Sequence, residues 1–298
     1  MADDPSPSAR ERQLARELRQ LRRSVELLGK DVAERLGWSA SKVSRIETSH
    51  IGVSLEDLEL LLTLYDVPRD QAEHLRKLAP SARPKGWWDA YADTITSGYA
   101  NLIRLESGSR SVQCYSAVIP HPLLQVPDYT RHVIQTTAIA PSAAEVERRM
   151  AICRRRQEAL TAHDGSPGLQ LAAVVDEAVL RRQVVDATGR PVPGVLQAQI
   201  RHLVVLAGRP GITVQVLPFS AGIPPVTAGS FSVLESLAAA GPDVVYMDNK
   251  TRIWTIDAEG EVHAYAQEMA YLRRMALSRT ASLAFLRQAA NEAAHASG

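Results

Sequence analysis

Wound as a helix at about 100° per residue, the stretch Ser39 to Thr48 places Ala40, Ser41, Ser44, Arg45 and Thr48 within an arc of roughly 140°. Val43 and Ile46 fall on the other side. The arc is small and polar and carries one arginine. Such a face suits entry into the DNA major groove: bulk would block the approach, and a guanidinium can donate two hydrogen bonds to guanine O6 and N7. Covalent chemistry finds less support. Asp176 and Glu177 form a carboxylate pair in sequence, but neighbouring residues do not share a helix face. Asp176 reads more simply as an N-cap and Glu177 as a first-turn acid. Eight histidines are scattered without HxxxH or HExxH spacing, and there is no Cys-x-x-Cys. Ser230 lies in Gly-Ser-Phe, outside any nucleophile elbow, and no Gly-rich phosphate loop is present. The expectation is a protein without enzymatic activity, cofactor or metal.

The elements that position the polar arc can be read on either side of it. Val32 and Ala33 belong to a short helix that Gly37 ends, because glycine tolerates the left-handed conformation of a helix stop. Ser39 then caps the next helix through its hydroxyl. Upstream, Leu14, Leu18, Leu21 and Val25 form one apolar stripe of a helix from Ala9 to about Leu27, with Arg12, Arg16, Arg19, Arg22 and Arg23 around it. Glu47 sits beside the buried edge, where it is expected to pair with one of these arginines. Downstream, Ser49–Val53 is a loop. Ser54 caps a fourth helix whose apolar face is Leu55, Leu58, Leu61, Leu62 and Tyr65, and a fifth runs from Asp70 to Leu78.

The string VAERLGWSASKVSRIE, within Gly29 to Thr48, resembles the phage-repressor-like (Xre/Cro) helix-turn-helix family. The resemblance implies that Ala40, Ser41, Ser44 and Arg45 face base edges of double-stranded DNA and that Lys42 and Thr48 lie near backbone phosphates. An inverted-repeat site and a homodimer are also expected, since one recognition helix reads only a few base pairs. The chain departs from the family at three positions. Glu26 stands where Gly is usual, Leu28 where Ser or Thr is usual, and Gly29 where a phosphate-contacting Gln is usual. The start of the second helix is therefore expected to be poorly capped.

A chain of 298 residues, 45% hydrophobic and 22% charged, accommodates two packed domains. The net charge of +1 gives no global sign of a nucleic-acid partner. Its distribution does: Arg10 to Arg45 holds ten Lys/Arg against five Asp/Glu, whereas Ile46 to Arg83 holds four against seven. Cys114 and Cys153 are far apart and read as free thiols. With no signal-peptide pattern and no long apolar run, a cytoplasmic location and no membrane association are expected. The expected organisation is a tail over 1–8, a five-helix module over 9–79, a Pro/Gly linker over 80–86 and a second domain over 87–298.

The second domain opens with Trp87 and Trp88, read as an amphipathic entry helix or an aromatic ligand box. Beyond it, strands are expected at Leu102–Glu106, Val112–Val118, Leu169–Val175 and Ile212–Pro218. A later meander of Phe231–Glu235, Val244–Met247 and Arg252–Ile256 turns at Met247–Thr251. Helices intervene and two close the chain, so the class is α+β with antiparallel strands. The strings LIRLE, PLLQVPDY, RRMAICRRRQEAL, VVDEAVLRR, QAQIRHL, ITVQVLPF and GSFSVLE resemble the antitoxin-like C-terminal domain of regulators from filamentous GC-rich bacteria. His121-Pro122 stands where that family tends to have Pro-Gly. The polar residues inside these strings, Glu106, Gln125, Glu177, Arg181 and Gln215, join Trp87 and Trp88 as candidate ligand or partner contacts. The implied function is a transcriptional regulator whose second domain senses a small-molecule effector or protein. The alternative is an antitoxin-like protein that captures a small partner, with DNA binding for autoregulation. Dimer contacts are expected from the entry helix or from Tyr271 to Phe285.

Overall fold

Leucines four residues apart on a basic helix need an apolar partner, and Leu14 and Leu18, each 1% exposed, find it among the helices that follow. The computed structural model describes residues 9–48, 53–78, 86–138, 141–161, 168–186, 188–226, 229–237, 243–249 and 253–295. The expected tail, most of the Ser49–Val53 loop, residues 80–85 of the linker and the end of the Met247–Thr251 turn lie outside them. The chain divides into two compact units between Asp89 and Ala90.

The N-terminal unit comprises α1 (Ala9–Ser24), α2 (Gly29–Leu36), α3 (Ala40–Glu47), α4 (Leu55–Leu64) and α5 (Arg69–Leu78). Leu14, Leu18, Val32, Val43, Ile46, Leu58, Leu61, Leu62, Tyr65 and Leu75 share one core. Burying each such side chain stabilises by about 1.5–3 kcal/mol. Helix α1 stops at Ser24 rather than Leu27, and Val25 is 38% exposed. The cause is Glu26, whose φ of 55° lies in the left-handed region. Glycine, usual there in the resembling family, would take that conformation without strain. Glu26→Gly should therefore stabilise this unit by about 0.5–1 kcal/mol, strain relief outweighing the added freedom of the unfolded chain. The check is the denaturant midpoint: it should rise at constant m-value, and an unchanged or lower midpoint would show that the glutamate side chain compensates.

Trp87–Tyr91, expected as an amphipathic helix, is a single 3-10 turn. The Gly86 N–H donates to the Asp89 carboxylate at 2.8 Å, and the Asp89 N–H to the Gly86 carbonyl at 3.1 Å. Five residues are too few to present a sustained apolar face.

The second unit contains α6 (Ser97–Ser107), β1 (Ser109–Ser116), α7 (Pro127–Thr137), α8 (Ala143–Gln157), β2 (Gln170–Asp176), α9 (Glu177–Arg181) and α10 (Val195–Ala207). There follow β3 (Ile212–Leu217), β4 (Phe231–Ser236), β5 (Val244–Asp248), β6 (Ile253–Ile256), α11 (Glu259–Met275) and α12 (Arg279–His295). The strands form one sheet in the order β3-β2-β1-β4-β5-β6. Its β4–β6 half is an antiparallel meander, while β1, β2 and β3 pair parallel. One sheet face packs with α10 and α12 through Ile200, Leu203, Leu286 and Ala290, and the other with α11 through Val262, Met269 and Leu272. The class is α+β.

The expected strand Leu102–Glu106 is instead the second half of α6. Thr96 caps that helix by accepting the Tyr99 N–H at 3.2 Å. Leu102, Ile103 and Glu106, spaced one and three apart, are all buried, and three residues later the chain enters β1. Five residues of mixed hydropathy fit either period, and the cap decides for helix. Among the described residues no helix is long and apolar enough to cross a membrane.

Candidate nucleic-acid interface

The turn between α2 and α3 is built from two caps. Gly37 adopts φ 66°, and the Trp38 N–H returns to the Ala33 carbonyl at 2.7 Å. Ser39 Oγ accepts the Lys42 N–H at 3.1 Å. At the other end of α2, Leu28 brings no side-chain acceptor. Its own N–H instead donates to the Asp31 carboxylate at 2.7 Å, so half of a capping box is present.

Val43 and Ile46 are each 3% exposed and pack in the core with Val32 and Ala33. Ala40, Ser41, Ser44, Arg45 and Thr48 are all exposed, on the arc expected from the sequence. Among the described residues Arg45 has no carboxylate partner, and its nearest contact is a long 3.4 Å bond from Nε to the Ser41 carbonyl. The Thr48 hydroxyl donates to the Ser44 carbonyl at 2.7 Å. Lys42 is placed differently from Thr48, with which it shares the expected phosphate role. Its ammonium meets Asp57 Oδ1 at 2.8 Å and lies 3.9 Å from the Trp38 ring centroid.

Glu47 fixes the angle of α3 against α1. Arg22 grips its carboxylate with two hydrogen bonds, Nε at 2.6 Å and Nη2 at 2.9 Å, and its Nη1 holds the Leu27 carbonyl at 2.7 Å. Hydrogen bonding to Glu47 raises the Arg22 pKa despite partial burial. A planar guanidinium with three such bonds is a rigid brace. Arg16, Arg19, Arg23, Lys30 and Arg35 remain exposed on the same unit.

The candidate residues of the second unit do not converge on one site. Glu106, 3% exposed, pairs with Arg156, 2% exposed, Oε2 lying 2.6 Å from Nη2. Gln125 Nε2 donates to the Pro120 carbonyl at 2.8 Å, while Gln157 Nε2 holds the carbonyls of Pro122 and Gln125, each at 2.8 Å. Gln199 completes this bracing by accepting from Val126 N–H and donating to the Leu124 carbonyl. Glu177 Oε1 accepts from Arg181 Nε at 3.1 Å and Oε2 from the Phe219 N–H at 2.9 Å. Arg181 also pairs with Glu292. Gln215 Nε2 ties down the carbonyls of Arg273 and Leu277 at the end of α11. Asp176 is the N-cap of α9, its Oδ1 accepting the Ala178 N–H at 2.9 Å. In the N-terminal unit, Trp87 and Trp88 are half-buried, with rings edge to face at 6.0 Å between centroids.

His121 begins a 3-10 turn over Pro122–Leu124. Its Nδ1 accepts the Leu123 N–H at 3.3 Å and its Nε2 bonds the Tyr246 hydroxyl. Burial, with Arg156 adding to it, pushes its pKa down to about 3, so the ring is neutral. Sequence reasoning missed the partners of Arg156, His121 and Asp57, which are Glu106, Tyr246 and Lys42. For Arg156 a signal existed: Val146, Met150 and Cys153 recur at four and three, and Arg156 continues that stripe three residues on.

A helix-turn-helix domain family matches residues 13–75, and a family described as a domain of unknown function, DUF5753, matches residues 99–288. No curated protein and no solved structure matches the chain. With the five-helix unit covering the first match and the mixed sheet the second, the chain belongs to the DUF5753 family and carries a helix-turn-helix DNA-binding domain at its N-terminus.

Proposed function

We propose that the protein is a sequence-specific transcriptional regulator that binds an inverted repeat as a homodimer. One observation carries this reading: the exposed arc of Ala40, Ser41, Ser44 and Arg45 on a helix whose other side is buried and braced by Arg22 and Glu47. The helix has little freedom to move under load, and its small outward side chains leave room for base edges. The larger unit, with its own core, is assigned the pairing of two copies and the response to an effector or protein partner.

Arg45→Ala tests the reading. Once a cognate site has been selected from random duplexes, the variant should lose about 1–3 kcal/mol on that site and far less on unrelated DNA. Equal losses on both would reassign Arg45 to phosphate contact and leave sequence reading to other groups.

A further inference from the structure

Lys42 lies about 60° beyond Arg45 around α3, between the exposed arc and the buried stripe. That margin is where a helix seated in a groove meets the flanking phosphates. Yet its ammonium is already engaged, 2.8 Å from Asp57 Oδ1 and 3.9 Å from the centroid of Trp38. The two side chains are 31% and 21% exposed, so the pair is partly withdrawn from water. A ring face attracts a cation and keeps it in place. Asp57 is anchored as well. It is the third residue of α4, where the helix dipole favours an acid, and its N–H donates to Ser54 Oγ at 3.0 Å. A carboxylate oxygen at this distance holds the ammonium as a phosphate oxygen would.

We propose that Asp57 is an internal competitor of DNA phosphate for Lys42. The inference rests on the DNA-binding reading above. Free of DNA, Asp57 occupies the lysine; on DNA, a phosphate must displace or share it. Lys42 then adds less to sequence-independent affinity than an unpaired lysine in the same place. Since that affinity is common to all sites, Asp57 lowers binding to every sequence alike and leaves the ratio set by base contacts unchanged. Asp57 is a positioning residue in this account and touches no DNA itself.

The test uses the full chain and a short duplex of random sequence, titrated over a range of salt concentrations. Asp57→Asn should bind several-fold more tightly at moderate salt and steepen the log–log salt dependence by about one unit, as one more phosphate is neutralised. In a Lys42→Ala background the same change should have no effect on affinity or slope. Glu56→Gln controls for charge alone, because Glu56 is exposed beside Asp57 and removes the same formal charge. A gain that persists without Lys42, or that Glu56→Gln reproduces, would reduce the effect to net charge and overturn the proposal. Weaker binding by Asp57→Asn would overturn it too, assigning the pair to bracing α3 against α4. If the unaltered chain fails to bind the duplex even at low salt, the DNA-binding reading falls and takes this one with it.

Discussion

Glu106→Ala should cost the second unit about 3–5 kcal/mol, because it leaves a buried guanidinium without its counter-charge. Arg156 spreads three bonded nitrogens across two partners. Nε and Nη2 reach the Glu106 carboxylate at 3.2 and 2.6 Å, and Nη1 donates to the Tyr99 hydroxyl oxygen at 2.6 Å. The Tyr99 ring lies 5.3 Å from the guanidinium carbon. Burial disfavours the arginine's charge, but the glutamate outweighs it and the pKa ends well above its ordinary value. The half-buried Tyr99 is held above its ordinary pKa by desolvation and offers no counter-charge when Glu106 is gone. A domain of ordinary stability has about 5–15 kcal/mol in all, so this one change should remove a large part of it. The pair itself is a different matter. Replacing both partners with apolar residues, as in E106L/R156M, removes the desolvation cost along with the attraction and should be far milder than either single change. Urea unfolding of the unaltered chain, Glu106→Ala, Arg156→Met and E106L/R156M, followed by a probe in the second unit, measures all of this. A loss below about 1 kcal/mol in Glu106→Ala would mean that water reaches the guanidinium.

The N-terminal unit was the more legible half. Its helices are short, α2, α3 and α4 have a stop or cap written in sequence at Gly37, Ser39 and Ser54, and its contacts are largely local. Gly37, Ser39 and the Val43–Ile46 stripe suffice to orient the exposed arc. The end of α1 carries no such signal: Val25 continues the apolar period, but Glu26 turns the chain into the left-handed region. No local propensity marks a glutamate for that conformation. In the second unit the strands were found individually, but not how they pair. β1, β2 and β3 are each followed by helix, which a parallel pairing needs, yet their register depends on contacts some 40 to 60 residues apart. The polar candidates failed for a related reason. Glu106, Gln125 and Gln215 stand out in sequence because polar residues interrupt apolar strings. Gln125 bonds the nearby Pro120 carbonyl across a turn, whereas Glu106 and Gln215 bond Arg156 and the end of α11, some 50 to 60 residues away in the chain. A polar residue required by packing and one required by a ligand interrupt a string alike. Only the finished fold shows which main-chain groups remain to be satisfied.

Cutting the chain after Ser81 should separate DNA reading from its avidity. The five-helix unit has its own buried core, so the fragment is expected to fold and to keep the exposed arc of α3. It should be a monomer and bind a single half-site. The full chain should sediment as a dimer and protect two half-sites about 34–36 Å apart or a multiple of that spacing, as a two-fold pair of recognition helices requires. Joining two weak readers makes the second contact intramolecular and gains about 10²–10⁴ in affinity, and the fragment should fall short by that factor. For the dimer proposed above, part of the second unit is already occupied. Leu286, Ala289 and Ala290 of α12 are buried in the core they share with Ile200 and Leu203 of α10, so that face is already used. Tyr271 on α11 is 47% exposed, with the Arg274 guanidinium 5.1 Å from its ring, and offers an aromatic anchor of the kind interfaces favour. Tyr271→Ala in the full chain should accordingly weaken the dimer, and operator affinity should fall with it, while binding of a single half-site stays unchanged. A dimeric fragment with full operator affinity would place pairing in the N-terminal unit and leave the second unit only the effector or partner role.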